Sequence, residues 1–104
     1  MPLENLFVYG TLMEEDERKR VLGRNNIELH ADSLENYGVM EKAVKIEKEY
    51  YPTIFSTQNS FVEGFVLKVS SEEIRLLDEH ETNAYKREKV FLKSGKEAWV
   101  YVKN

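Results

Sequence analysis

The stretch that decides the fold lies near the start of the chain and reads Leu6-Phe7-Val8-Tyr9-Gly10-Thr11-Leu12-Met13-Glu14. Its first four residues form a short apolar run that stops at a glycine, which is typical of a buried β-strand followed by a turn. Thr11 and Glu14 have the spacing of a capping box, which marks the start of a helix. The stretch therefore predicts a strand, a tight loop and a surface helix that ends at Gly23.

The middle of the chain predicts further strands. Polar residues alternate with Val44 and Ile46, a pattern that indicates an exposed antiparallel strand. Residues 50–55 are rich in aromatic side chains but contain Pro52, so they predict an edge strand or a turn that leads into a strand. Residues 61–69 predict a separate strand with a strong apolar pattern.

The last third of the chain predicts a short helix followed by a hairpin. Ser70 and Glu73 form a second capping box, which opens a helix over about residues 70–80. Residues 85–92 and 98–102 then predict a hairpin around the turn Ser94-Gly95-Lys96.

These elements add up to roughly six strands and two short helices, an α+β pattern dominated by antiparallel sheet. Six strands in a chain of 104 residues tend to curl toward a barrel. We therefore predict a small mixed, mostly antiparallel β-barrel with two short helices, formed as one domain over residues 1–104.

Composition narrows the classes of function. The formal net charge is -4 and basic residues alternate with acidic ones, which argues against a nucleic-acid partner because phosphate binding needs clustered Lys and Arg. The first residues show neither a basic segment nor a long apolar run, so we expect no signal peptide and no membrane span. The chain has no cysteine, which fits a reducing compartment, and we expect a cytoplasmic protein.

One carboxylate stands out in the second predicted helix. Ile74, Leu77, Asp78 and Glu81 are spaced i, i+3, i+4 and i+7, so they share one helical face if the helix extends that far. Two apolar members of this face predict that it turns toward the core. Glu81 then either reaches solvent at a frayed helix end, which is the more common outcome, or is held in a cleft.

The loop after the first strand is a second candidate site. Backbone N–H groups at the start of a helix bind carboxylate or phosphate anions, and Gly10 lets the backbone approach a ligand closely. A glycine between a strand and a helix is nevertheless more often only a turn. The two histidines, His30 and His80, have no metal-ligand spacing, and no serine lies in a nucleophile elbow. We therefore expect no metal.

Five segments together resemble the gamma-glutamylcyclotransferase-like family, also called the AIG2-like family, over nearly the whole chain. They are Phe7-Val8-Tyr9-Gly10-Thr11-Leu12-Met13, Tyr51-Pro52-Thr53-Ile54, Val62-Glu63-Gly64-Phe65-Val66, Leu77-Asp78-Glu79-His80-Glu81 followed by Tyr85-Lys86-Arg87, and Ala98-Trp99-Val100-Tyr101-Val102. Residues 13–18 lack the glycine and asparagine that some amine-type members carry after the first motif. In this respect the chain looks closer to a compact microbial branch.

The resemblance implies a small mixed barrel with the two helices at its rim. It implies that Tyr9, Gly10, Thr11 and Leu12 hold the α-carboxylate and amine end of a substrate at the cavity mouth. Glu81 would be the general acid/base, and Tyr85 would line the pocket. The implied reaction closes a γ-glutamyl group into 5-oxoproline and needs neither cofactor nor metal.

Three hypotheses follow for the function. The first is a cyclotransferase acting on a small molecule, a γ-glutamyl amide or amine. The alternative is a non-catalytic module that binds or senses a small carboxylate on the same fold. The third is a structural or protein-interaction domain, which would need a large exposed apolar patch that the sequence does not show. We expect a monomer with no nucleic-acid and no membrane partner.

Overall fold

The structure is a computed structural model that describes residues 3–24 and 27–104. In chain order its strands and α-helices are β1 (Glu4–Val8), α1 (Glu15–Leu22), β2 (His30–Ile46), β3 (Glu49–Val69), α2 (Ser71–Glu81), β4 (Tyr85–Phe91) and β5 (Glu97–Lys103). Short 3₁₀ turns at Thr11–Met13 and Thr82–Ala84 precede α1 and β4. The predicted α+β class is confirmed. No helix in the described ranges is long and apolar enough to cross a membrane.

The strands form one mixed sheet in the order β2-β3-β1-β5-β4. β1 runs parallel to β5, and the other neighbours are antiparallel. The sheet curls into a half-barrel, and the N–H of Lys93 donates to the carbonyl of Ser33 across 2.8 Å, linking the end of the β4–β5 hairpin to β2. The predicted mixed, mostly antiparallel sheet is thus confirmed, with a curl that forms half of a barrel.

The expected count of six strands is wrong for the described part of the chain, which has five. The two segments predicted around residues 50–55 and 61–69 are one continuous strand, β3, paired with β2 in a long hairpin. Pro52 is tolerated inside β3 because the register shifts between Met40 and Val44 on the partner strand. A proline, which lacks an N–H donor, is accommodated at such an irregularity without breaking a regular ladder.

The core lies on both faces of β1. Leu6 and Val8 belong to a buried cluster that also contains Leu77 of α2, whereas Phe7 belongs to a second cluster with Val100 of β5. Because both faces are covered, residues 6–8 of the strand are all apolar rather than alternating. This burial fixes the position at which the chain leaves the sheet and enters residues 9–12.

The start of the first helix differs from the prediction. Residues Thr11–Met13 form a 3₁₀ turn, closed by the Met13 N–H donating to the Gly10 carbonyl at 3.0 Å. The α-helix therefore begins at Glu15 with Glu14 as its N-cap residue, and the side chain of Glu14 makes no cap bond to the described residues. The helix start predicted at Thr11 is wrong, because the inserted turn moves it to Glu15. The predicted capping bond of Thr11 involves a side chain that lies outside the described part of the structure. The predicted stop is confirmed, since Gly23 adopts φ 70° and donates its N–H to the Lys19 carbonyl.

The second helix follows the prediction closely. The Ser70 hydroxyl accepts the Glu73 N–H, and the Glu73 carboxylate accepts the Ser70 N–H, which completes the capping box. Ile74 and Leu77 are buried on the inward face. The helix extends to Glu81, so the face predicted from periodicity does include this carboxylate.

Candidate active site

A cavity of about 440 Å³ lies where β1 ends, beside both helices. Its walls are formed by Phe7, Val8, Tyr9, Gly10, Leu12, Glu17, Arg20, Ile46, Glu49, Tyr51, Pro52, His80, Glu81, Tyr85 and Tyr101. Pockets of this size and mixed lining are the usual sites for small molecules. The cavity brings together five residues selected from the sequence: Tyr9, Gly10, Leu12, Glu81 and Tyr85.

The loop after β1, which contributes Tyr9, Gly10 and Leu12 to the cavity wall, is held by contacts with the rest of the protein. The side chain of Leu12 is buried in the cluster beneath the helices, and the Gly10 carbonyl accepts the Met13 N–H. A Cβ atom at Gly10 would meet Pro52 Cγ at 3.5 Å, an ordinary contact, so packing against the protein does not demand a glycine. The backbone of Thr11 belongs to the 3₁₀ turn. Its side chain, which was also predicted to bind the substrate, lies outside the described part of the structure.

Glu81 ends α2 and contributes its partly buried carboxyl group to the cavity wall. Burial, together with the smaller effect of the negative charge of Glu17, raises the pKa of this carboxyl from 4.5 to about 7. The physical cause is that an ionised carboxylate loses hydration when it is enclosed. A carboxyl with this pKa can both accept and donate a proton near neutral pH, which is what a general acid/base requires.

Three polar residues of the cavity wall, Glu17, Arg20 and His80, were not identified as site residues from the sequence. The Glu17 carboxylate of α1 is paired with the Arg20 guanidinium and lies 3.5 Å from Nε2 of His80 on α2. The contact joins the two helices at the cavity wall. Glu17 could not be recognised because nothing in the sequence shows that α1 packs against α2. His80 directly precedes Glu81, but its place in the cavity wall depends on the same packing.

Four tyrosine side chains face the cavity, and each hydroxyl donates its proton to the protein. The bonds are Tyr9 to the Tyr101 carbonyl at 2.5 Å, Tyr85 to the Pro52 carbonyl at 2.6 Å, Tyr101 to the Asp78 carboxylate at 2.7 Å and Tyr51 to the Glu49 carboxylate at 3.0 Å. Since a hydroxyl has one proton, each oxygen offers a ligand only lone pairs. The tyrosine wall can therefore accept hydrogen bonds from the donor groups of a ligand.

The tyrosines are poor proton-transfer groups at neutral pH. Burial raises the pKa of Tyr85 to about 12, and it raises the pKa values of Tyr9 and Tyr101 further. They therefore stay protonated under ordinary conditions, and Glu81 is the cavity residue suited to move a proton.

The other acidic residues of the α2 end have structural partners or face solvent. Asp78 accepts the Tyr101 hydroxyl and lies 3.4 Å from the Arg87 guanidinium. Glu79 is exposed. Among residues 3–24 and 27–104, no three or more His, Cys, Asp or Glu side chains are grouped so that they could hold a metal ion.

Comparison with known proteins gives one family. The family described as "Gamma-glutamyl cyclotransferase, AIG2-like" matches residues 6–104. No curated protein sequence shows significant similarity to this chain.

Solved structures show the same fold. A protein from Arabidopsis thaliana is 27% identical, with a TM-score of 0.79 over 99% of this chain and 70% of its own. A protein described as "Gamma-glutamyl cyclotransferase" is 18% identical, with a TM-score of 0.79 over 99% of this chain and 68% of its own. An uncharacterized protein from Homo sapiens is 19% identical, with a TM-score of 0.82 over 100% of this chain and 68% of its own. The latter two similarities show the fold alone.

Proposed function

We propose, from the premise that this chain belongs to the AIG2-like gamma-glutamyl cyclotransferase family, that it is a cyclotransferase acting on a γ-glutamyl amide or amine. The product would be 5-oxoproline. The observation that carries the proposal is that the Glu81 carboxyl, with its raised pKa, shares one small cavity with the backbone loop at Tyr9 and Gly10.

The reaction needs no second reactant. The α-amino nitrogen of the γ-glutamyl group forms a bond to its own γ-carbonyl carbon, and the bond from that carbon to the leaving amine breaks. Because the nucleophile is tethered to the electrophile, the protein's main task is to hold the chain in the ring-closing conformation. A cavity lined by tyrosine side chains that are hydrogen-bonded to the protein suits that task.

Glu81 supplies the proton transfer. An α-amino group has a pKa of about 8 and is largely an ammonium at neutral pH, which cannot attack a carbonyl. The Glu81 carboxylate takes the proton, and with a pKa of about 7 it is well matched to the α-amino group. The protonated Glu81 then returns this proton to the departing amine. The ring nitrogen, which carries two hydrogens after the attack, loses one of them, and the leaving amine takes it up to depart as an ammonium ion, so that charge and atoms balance.

The loop of residues 9–12 would bind the substrate's α-carboxylate. The first N–H groups of a helical turn have no partner within the turn and attract anions. The 3₁₀ turn at Thr11–Met13 begins next to Gly10, which lines the cavity. Tyr hydroxyl oxygens on the other walls would accept from the α-ammonium group, so the two ends of the amino-acid moiety would meet complementary partners.

The test is a product assay on a panel of γ-glutamyl amides and amines. We expect the wild-type protein to release 5-oxoproline with at least one of them. Glu81→Gln should lower kcat by about 10²- to 10⁴-fold, the range that a positioned acid/base contributes. Glu79→Gln is the matched control, because it removes an exposed carboxylate from the same helix turn.

The outcomes separate the two leading hypotheses. Equal turnover in Glu81→Gln and Glu79→Gln would remove Glu81 from the mechanism. If no member of the panel gives product but a small carboxylate raises the melting temperature of the wild type, the non-catalytic binding module replaces the enzyme.

A further inference from the structure

Arg18 is the buried charged residue of α1. Its side chain is 8% exposed, whereas its neighbour Lys19 faces solvent. Enclosing a guanidinium is costly unless its N–H groups are satisfied. In the part of the chain that the structure describes, Arg18 makes no ion pair with a carboxylate. Its burial must therefore be accounted for by other partners.

Those partners are two backbone carbonyls at the end of the cavity loop. Nη1 of Arg18 donates to the carbonyl oxygen of Leu12 at 3.2 Å and to that of Met13 at 2.6 Å. A hydrogen bond from a charged donor is stronger than one between neutral groups. One buried side chain thus holds two consecutive peptide groups of the segment that follows Gly10.

The planarity of the peptide bond transmits this hold along the loop. In a trans peptide the C=O and the following N–H point in opposite directions, and the described chain has no cis peptide. Fixing the Leu12 carbonyl on Arg18 therefore fixes the Met13 N–H, which donates to the Gly10 carbonyl at 3.0 Å. Fixing the Gly10 carbonyl in turn fixes the Thr11 N–H, which points away from the Met13 side of the turn.

We infer that Arg18 is a positioning residue for ligand binding: its contacts with the Leu12 and Met13 carbonyls orient the amide groups at the start of the 3₁₀ turn toward a bound carboxylate. This inference rests on the proposed function, in which the loop holds the substrate's α-carboxylate. Arg18 itself does not line the cavity, so its effect is exerted through the backbone.

The experiment compares Arg18→Met, Arg18→Lys and the control Lys19→Met, which removes an exposed positive charge from the same helix. For 5-oxoproline release, Arg18→Met should raise KM about tenfold, the size expected for one or two lost hydrogen bonds. The kcat value should stay within about threefold, because an anchor that holds ground state and transition state equally affects KM alone. Arg18→Lys keeps a cationic donor, so its KM should lie between those of Arg18→Met and the wild type. The KM of Lys19→Met should equal that of the wild type.

Hydrogen exchange of the Met13 amide provides a readout that does not depend on turnover. Arg18→Met should speed this exchange relative to Lys19→Met, since the turn loses its anchor. Unchanged Met13 protection, or a KM equal to that of Lys19→Met, would overturn the inference even if the melting temperature falls. If Arg18→Met does not fold, the same comparison is made with Arg18→Lys. A wild type that releases no 5-oxoproline contradicts the proposed function, while Met13 exchange still decides whether Arg18 holds the turn.

Discussion

Two physical effects raise the pKa of the Glu81 carboxyl group. Burial removes water from its carboxyl group, and Glu17 adds a negative charge nearby, so both raise its pKa. The groups that face it from the surrounding elements include Glu17 and Arg20 on α1 and His80 on α2. The balance among these charges, rather than Glu81 alone, determines the pH range of the site.

Glu17→Gln should move the activity profile to lower pH. The substitution removes the nearby negative charge and frees the Arg20 guanidinium from its ion pair with Glu17, and both changes favour the ionised form of Glu81. The pKa of Glu81 therefore falls, and the carboxylate needed as a base forms at lower pH. The measurement is the midpoint of the rising limb of kcat against pH. Glu15→Gln, an exposed carboxylate on the same helix, is the control, and equal midpoints in the two variants would count against the account.

At this scale the sequence was informative about some residues and silent about others. The i, i+3, i+7 spacing predicted that Glu81 shares a face with buried Leu77, and the structure places it there. Glu17 and Arg18 could not be found, because their importance depends on what α1 packs against. A helix with few apolar residues gives no period from which that contact can be read.

The helix α2 carries Glu81, and different interactions define its two ends. The capping box of Ser70 and Glu73 closes its start, and Arg24, just beyond α1, pairs with Glu73 at 2.6 Å. At its end the chain turns sharply through Thr82, which has φ 59°. The same residue spacing at Thr11 and Glu14 does not coincide with the start of α1, since a 3₁₀ turn intervenes. Residue spacing alone does not distinguish these two cases.

Ser70→Ala should lower the free energy of unfolding by about 1 kcal/mol, the usual contribution of a helix N-cap. The loss arises because the Glu73 N–H is left without its acceptor. Urea unfolding measures it directly. Ser71→Ala, at the exposed first position of the helix, should change stability much less. Equal losses in the two variants would show that the capping box contributes nothing specific.

For the whole molecule, the buried carboxyl couples stability to pH. In the folded state Glu81 binds its proton up to a pH of about 7, whereas its ordinary pKa is 4.5. Between these values the folded state holds a proton that the unfolded state has lost, so this group's contribution to stability falls as pH rises. Asp32 and Glu73, whose pKa values are lowered by their hydrogen bonds, act oppositely, and their contribution is lost as the solution becomes more acidic.

Glu81→Gln should isolate this contribution, because a neutral amide of similar size does not titrate. Its stability relative to the wild type should increase as pH rises from about 4.5 to about 7, and then level off. Urea unfolding at several pH values in this interval measures the difference. Glu79→Gln is the control and should show no such trend. A constant difference between Glu81→Gln and the wild type would mean that Glu81 ionises normally.

The global fold was only partly predictable. The α+β class, the second helix and the final hairpin follow from local signals: a capping box, an apolar face and a glycine turn. Local signals do not show that the two predicted strands are one strand, β3, because its continuity depends on a register shift opposite Pro52. The expectations of a cytoplasmic monomer that forms one domain and binds neither membrane nor nucleic acid stay predictions.

The dependence of 5-oxoproline release on pH, measured as kcat for a substrate that the wild type turns over, tests the central claim most directly. The account predicts a rising limb with its midpoint at about pH 7, where Glu81 ionises, and the loss of that limb together with the activity in Glu81→Gln. A midpoint near the ordinary carboxyl value of 4.5, or an unaltered limb in Glu81→Gln, would contradict it.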